Sequence, residues 1–104
     1  MDDCMSNREL IINNTINKQV IVSYKKVLPG HVQPKKEIIP KSSTVKIPLP
    51  ATNALQVDVT GYGKQKVYVD EYKAPVMIRS GDNCIVIMQG ERTLGVVRQA
   101  QQRR

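Results

Sequence analysis

The stretch from Ala54 to Val69 holds two runs of alternating apolar and polar residues, separated by Gly61-Tyr62-Gly63. Alternation of this kind is typical of strands that bury one face. The two glycines can take the positive φ that a tight turn requires. We therefore predict a β-hairpin here. Because an isolated hairpin is only marginally stable in water, the rest of the chain must supply a second layer over its apolar face.

The hydrophobic pattern also constrains the register of this hairpin. Apolar residues occupy the odd positions of both runs, so the numbers of paired residues must sum to an even number. A three-residue loop over 61–63 satisfies this condition. It predicts Thr60 opposite Lys64 and Asp58 opposite Lys66.

Further strands are predicted from alternating or continuous apolar runs over 8–13, 19–25, 37–39, 44–49, 76–79, 84–88 and 93–98. The first two of these are predicted to form a hairpin through asparagine-rich turn residues. Residues 27–36 contain two prolines and no steady period, so we predict a long loop. Pro48 cannot donate to a ladder and indicates a sheet edge. Residues 84–88 are continuously apolar, which predicts a central strand covered on both faces.

About seven to nine short, mostly antiparallel strands without an amphipathic helix predict an all-β fold, a single-domain β-sandwich with a small β-barrel as the alternative. The layout resembles immunoglobulin-like sandwiches, although the chain has no Trp and no paired cysteine pattern of the antibody type. We predict a flexible N-terminus over 1–7, the sandwich over 8–98 and a basic flexible tail over 99–104. The predicted core is Leu10 or Ile12 with Val20, Val22, Val45, Ile47, Leu55, Val57, Val59, Val67, Val69, Ile85 and Ile87.

The chain is strongly basic, with 16 Lys and Arg against 9 Asp and Glu among its 104 residues. Between Lys18 and Lys46 there are seven lysines and one acid, Glu37. Such a charge favours anionic partners, although a cluster of this size can also be a solvated face that maintains solubility.

The residues that enzymes and metal sites require are few. His31 is the single histidine, and no nucleophile motif surrounds any serine or cysteine. Cys4 and Cys84 stand 80 positions apart, which does not suit a zinc site and fits two free thiols in a reducing compartment. We therefore predict no enzymatic activity, no cofactor and no metal.

A protein-interaction module that binds an acidic protein surface, through loops, a basic face or an edge strand, is the function that we predict. The alternative is a nucleic-acid-binding β domain, in which tyrosines stack on bases and lysines contact phosphates. The predicted partner-binding residues are Lys25, Lys26, Lys35, Lys36, Tyr62, Lys64, Lys66 and Tyr68.

The hydrophobic segments of the sequence are short. The run Leu10-Ile11-Ile12 follows acidic residues and is too short for a signal peptide, and no segment is long enough to span a membrane. We therefore predict a cytoplasmic protein that does not insert into membranes, with export by a route that needs no N-terminal signal as the alternative.

Overall fold

The computed structural model describes residues 9–48, 52–70 and 74–99, and these residues form nine strands and no helix. The all-β prediction is confirmed. In chain order the strands are β1 (Glu9–Asn14), β2 (Val20–Leu28), β3 (His31–Ile39), β4 (Ser43–Pro48), β5 (Ala54–Val59), β6 (Gly63–Tyr68), β7 (Val76–Gly81), β8 (Cys84–Gln89) and β9 (Arg92–Arg98).

The nine strands divide between two sheets that pack face to face. One sheet has the order β4-β1-β7-β8-β9, and the other has the order β3-β2-β5-β6. All neighbouring strands are antiparallel except β1 and β7, which run parallel. The β-sandwich is confirmed, and the two separate sheets exclude a single closed barrel. Pro48 lies at the end of the edge strand β4, as predicted.

The core lies between the sheets and consists of aliphatic side chains at alternating strand positions. The predicted core residues are buried, except Val45, which is half-buried and packs against the core. Both Leu10 and Ile12 are buried. The structure adds six buried residues that the predicted core lacked: Ile16, Tyr24, Ile39, Val76, Ile78 and Val97.

The β5–β6 hairpin forms with the predicted parity, but its register differs by two residues from the prediction. Val59 pairs with Gly63, and Asp58 pairs with Lys64 instead of Lys66. The sum of paired numbers is still even, so the same side chains face the core. The loop is therefore 60–62 and not 61–63.

The turn explains this difference in register. The Tyr62 N–H donates to the Val59 carbonyl at 2.9 Å, and Gly61 has a φ of 87° at the third position of that turn. A type II turn requires a positive φ at this position. A glycine in the middle of the loop thus fixes the turn, and Gly63 becomes the first residue of β6.

The long loop predicted over 27–36 is wrong. These residues belong to a second hairpin, in which β2 and β3 are joined by Pro29-Gly30, with Gly30 at a φ of 86°. Residues His31 to Lys36 are all exposed, on both faces of the strand. A strand that buries neither face needs no apolar alternation, so the periodicity on which the prediction depended does not occur.

The hairpin predicted between the first two strands is also wrong, because β1 and β2 lie in different sheets. The connection between them crosses from one sheet to the other and is fixed by Asn14, which is fully buried. The Asn14 side-chain amide donates to the carbonyls of Lys18 at 2.8 Å and Pro40 at 3.0 Å. Its Nδ2 is also 3.3 Å from the Ile39 carbonyl oxygen, and its Oδ1 accepts from the Ile16 N–H at 3.1 Å. One amide thus holds two connections between the sheets.

Gln89 has the same role at a third connection, between β6 and β7. This buried side chain donates to the carbonyls of Asp70 at 2.7 Å and Ala74 at 2.8 Å, and it accepts from the Asp70 N–H at 2.6 Å. Two buried amides therefore satisfy backbone groups that leave the ladders where the chain changes sheet.

The strand over 84–88 is central in its sheet, as predicted, but it is not covered on both faces. Ile85 and Ile87 are buried, whereas Cys84, Val86 and Met88 are half-buried on the outer face of the five-stranded sheet. The continuous apolar run therefore combines a core face with a half-exposed one.

An irregularity in β9 brings the edges of the two sheets together. Ile87 pairs with Gly95 and Met88 pairs with Thr93, so Leu94 is an extra residue, a β-bulge. A Cβ atom at Gly95 would lie 2.9 Å from Val67 Cγ1 in the opposite sheet. The absence of a side chain at Gly95 thus allows β9 to approach β6 closely.

The predictions for residues 1–8, which include Cys4, and for Leu49 at the end of the predicted strand over 44–49 fall outside the described residues. Of the predicted tail over 99–104 the structure describes Gln99, an exposed residue after β9.

Candidate functional site

The outer face of the four-stranded sheet gathers most of the predicted partner-binding residues. Strand pairing and the alternation of side chains determine which residues share this face. We call it the basic face, and it consists of Ile21, Ser23, Lys25, Val27, Val32, Pro34, Lys36, Ile38, Ala54, Gln56, Asp58, Lys64, Lys66 and Tyr68.

Four lysines and a single acid, Asp58, make this face positively charged. One row across the sheet runs from Lys36 through Ser23 and Gln56 to Lys66. The two lysines are thus three strand spacings apart, or roughly 14 Å between backbones. Uncharged polar side chains, Ser23 and Gln56, occupy the middle of the row between the two lysines.

Exposed apolar side chains share the basic face with the lysines. Among the described residues, five large hydrophobic side chains are exposed, and four of them lie here: Val27 (63%), Val32 (51%), Ile38 (59%) and Tyr68 (64%). Val27 and Val32 are directly opposite each other on β2 and β3, whereas Ile38 and Tyr68 lie on the two edge strands of the sheet. Exposed apolar side chains are common on protein surfaces, and their concentration on this one face distinguishes it from the rest of the described surface.

A depression of about 380 Å³ lies in the basic face where β2 and β5 separate. Its lining includes Ser23, Ala54 and Gln56 together with Lys25 and Lys66. Its volume is in the range of pockets that accept a ligand or a side chain of a partner.

The β2–β3 hairpin extends beyond the rest of the sheet as a two-stranded ribbon, which we define as residues 24–36. Strand β2 pairs with β5 only over 20–23, whereas its pairing with β3 continues to Leu28. Lys25 and Lys36 lie on the outer side of the ribbon, and Lys26 and Lys35 lie on the opposite side. The four lysines that were predicted as one group therefore surround the ribbon instead of forming one surface.

Tyr24 anchors the base of the ribbon in the core. Burial, and to a smaller extent the carboxylate of Glu37, raises the pKa of its phenol above the ordinary value. Both effects favour the neutral phenol, which suits a tyrosine packed in an aliphatic core.

Tyr62 is separate from the basic face. It is half-buried in the β5–β6 turn and packs against the core, and the Lys18 ammonium lies 5.8 Å from the centre of its ring. A cation in this position interacts favourably with the ring. Of the predicted partner-binding residues, Tyr62 thus has an evident packing role.

The groups considered for chemistry lie apart from one another. His31 is exposed in the ribbon, opposite Leu28, and Cys84 is a free, half-buried thiol on the other sheet. Within residues 9–48, 52–70 and 74–99, no group of three His, Cys, Asp or Glu side chains is placed to hold a metal ion. No helix long and apolar enough to cross a membrane occurs in those ranges.

Of the residues predicted from the sequence, Lys25, Lys36, Lys64, Lys66 and Tyr68 lie on this face, and that prediction did not include the exposed Val27, Val32 and Ile38. Val27 and Val32 were assigned to a loop, and they are directly opposite each other in the ribbon. The pattern Val-Leu-Pro-Gly-His-Val over 27–32 contains a signal for this hairpin, because Pro-Gly is typical of the two central positions of a type II turn and a β-branched valine stands two positions away on each side.

No family model matches the chain, and no curated protein and no solved structure shows significant similarity to it.

Proposed function

We propose that this protein is a non-enzymatic interaction module that binds an acidic protein partner through the basic face. The observation that carries the proposal is the composition of this face. Five of the eight predicted residues, Lys25, Lys36, Lys64, Lys66 and Tyr68, lie on it together with the exposed apolar side chains and the depression.

Protein interfaces typically combine a buried apolar centre with a polar or charged rim. The basic face offers both kinds of side chain, because Ala54 and Pro34 line the depression beside polar Ser23 and Gln56, and Lys25 and Lys66 also line it. The lysines steer an acidic partner and raise its association rate, while apolar contacts supply most of the affinity. An immunoglobulin-like layout and a location in the cytoplasm stay predictions.

Reversing two charges tests the proposal. We expect Lys64→Glu with Lys66→Glu to weaken binding of a glutamate- and leucine-containing peptide by about tenfold or more, and the loss should be larger at low salt. The probe is a fluorescent peptide of roughly ten residues, a length typical of one strand, and its binding is measured by fluorescence anisotropy.

The matched control is Lys46→Glu with Arg98→Glu, which makes the same charge change on the outer face of the five-stranded sheet. This control should bind within about twofold of the parent if the face, and not the net charge, recognises the peptide. Equal losses in the two double variants would show that only net charge matters and would contradict the proposal. Circular dichroism checks that both variants fold.

Nucleic-acid binding is a second candidate, and one observation favours it. Lysines lie on both sides of the ribbon, and the major groove of a duplex admits a two-stranded β-ribbon between its two phosphate backbones. Val27 and Leu28 at the ribbon tip would then meet the bases.

The same anisotropy measurement with a DNA duplex and a single strand separates the two candidates. Reversal of Lys25, Lys26, Lys35 and Lys36 to Glu would reduce the slope of log affinity against log salt by about 0.7 to 0.9 for each phosphate that a lysine no longer neutralises. If oligonucleotides bind tightly and acidic peptides do not, the second candidate replaces the first.

A further inference from the structure

The ribbon leaves one edge of β2 open. Residues 20–23 of β2 have β5 on one side and β3 on the other, but 24–28 pair with β3 alone among the described residues. The backbone groups on the other side of 24–28 therefore have no strand partner within the part of the chain that the structure describes. An open edge of this kind can accept an added strand.

The hydrogen-bonding parity identifies the groups on this edge. The Thr60 N–H donates to the Gln19 carbonyl at 3.3 Å, which continues the β2–β5 ladder by one position. In an antiparallel ladder, alternate residues bond to the same neighbour, so the odd residues of β2 direct their backbone groups toward β5. The N–H and C=O groups of Lys25 and Val27 consequently face the open edge.

The opposite edge of the ribbon is different. Because the even residues of β2 bond to β3, the backbone groups of Val32, Pro34 and Lys36 face outward from β3. Proline has no N–H, so the row of donors is interrupted in its middle, as is common on edge strands that do not pair further. The β2 edge has no such interruption.

The open β2 edge lies beside the depression in the basic face. Lys25 belongs to both features, and Lys66 stands across the depression from it. A strand placed along Lys25 and Val27 would direct alternate side chains to the outer side, where one apolar side chain can enter the depression. Acidic side chains next to it would then lie near the two ammonium groups.

We propose that an extended acidic segment of a partner protein adds as a short strand to the open edge of β2 and places one apolar side chain in the depression. This inference rests on the proposed function and specifies its binding mode. Main-chain hydrogen bonds to Lys25 and Val27 provide part of the affinity, and the lysines select acidic segments.

Two matched proline variants test the main-chain contacts. Val27 and Val32 are directly opposite each other, both are exposed, and neither N–H faces the other strand of the ribbon. Val27→Pro removes a donor from the open β2 edge, whereas Val32→Pro removes one from the β3 edge. We expect Val27→Pro to weaken binding of the acidic peptide by about tenfold or more, and Val32→Pro to change it by less than about threefold.

A second measurement uses the unmodified protein and so does not depend on how a variant folds. The peptide is N-methylated on one or the other of its two alternating sets of amides, since only one set faces β2 in an added strand. The peptide methylated on the set that faces β2 should lose binding to the protein, and the peptide methylated on the other set should retain it.

Three outcomes would overturn the inference: equal effects of the two proline variants, no effect of either, or equal effects of both methylation patterns. With any of these outcomes, the variant Lys64→Glu with Lys66→Glu decides what remains. If it still weakens binding of the peptide, the basic face is the binding surface and only the strand addition is wrong. If these charge reversals have no effect either, the proposed function fails as well.

Discussion

Asn14→Asp should lower the free energy of unfolding by about 3–5 kcal/mol at neutral pH, the largest effect that we expect from a single substitution. The substitution keeps the size of the side chain and replaces its amide donor with a carboxylate. That carboxylate would be fully buried and directed at the carbonyls of Lys18, Pro40 and Ile39, which need a donor. A buried charge without a partner is strongly destabilising.

Urea denaturation at pH 7 and pH 3 measures this effect. The penalty should be smaller at pH 3, because a neutral carboxylic acid loses the charge and can donate one hydrogen bond. The control is Asn13→Asp on the adjacent, half-buried position, whose Oδ1 accepts from the Thr44 hydroxyl at 3.2 Å. This control should change stability by less than about 0.5 kcal/mol. A similar loss for both variants would contradict the role assigned to Asn14.

Gly95→Val should lower the free energy of unfolding by about 2–3 kcal/mol. Its Cβ would lie 2.9 Å from Val67 Cγ1 and 3.0 Å from Gln65 Cγ, so the two sheets would have to separate where β9 meets β6. The measurement is again urea denaturation. The slope of the unfolding free energy against urea concentration should match that of the parent, which checks that the native state remains compact.

A double variant tests whether the clash with Val67 is the cause. Val67→Ala alone leaves a space in the core, and in Gly95→Val the new side chain can occupy part of that space. The loss in the double variant should therefore be clearly smaller than the sum of the two single losses. Simple additivity would show that Gly95 is required for another reason.

The sequence predicted those parts of the fold in which one face of a strand is buried. The alternation around Leu55, Val57 and Val59 predicts that these three side chains enter the core, and all three are buried in the structure. Parity does not distinguish two registers that differ by two residues, and this is why the β5–β6 pairing was displaced. That choice depends on which glycine takes the turn, a local backbone property that the hydrophobic pattern does not report.

The sheet assignments could not be predicted for a related reason. Asn13-Asn14-Thr15 is typical of a turn, and a hairpin turn has the same composition as a connection between sheets. The difference arises from Asn14, whose amide is buried against carbonyls 25 and 26 positions away. Contacts over such separations leave no periodic trace in a single sequence.

The candidate site was predicted in its charges but not in its shape. Lys64 and Lys66 were assigned correctly to the outer face of a strand, since their hairpin has a clear alternation. Lys25 was predicted at the end of a strand and Lys35 and Lys36 in a loop. In the structure the four lysines Lys25, Lys26, Lys35 and Lys36 divide between the two sides of the ribbon. Residues His31 to Lys36 are exposed on both faces of β3, so burial imposes no alternation of apolar and charged residues there.

The parallel pairing of β1 with β7 has a consequence for how the chain acquires its structure during synthesis. Ile12 pairs with Val76, so β1 can complete its place in the five-stranded sheet only after most of the chain has left the ribosome. Until then, β1 has β4 as its single neighbour in the sheet. The nascent chain must keep one edge of an aliphatic strand unpaired for this period. Contacts between residues so distant in sequence slow folding, so this parallel pair is expected to form late and to be the step most exposed to aggregation.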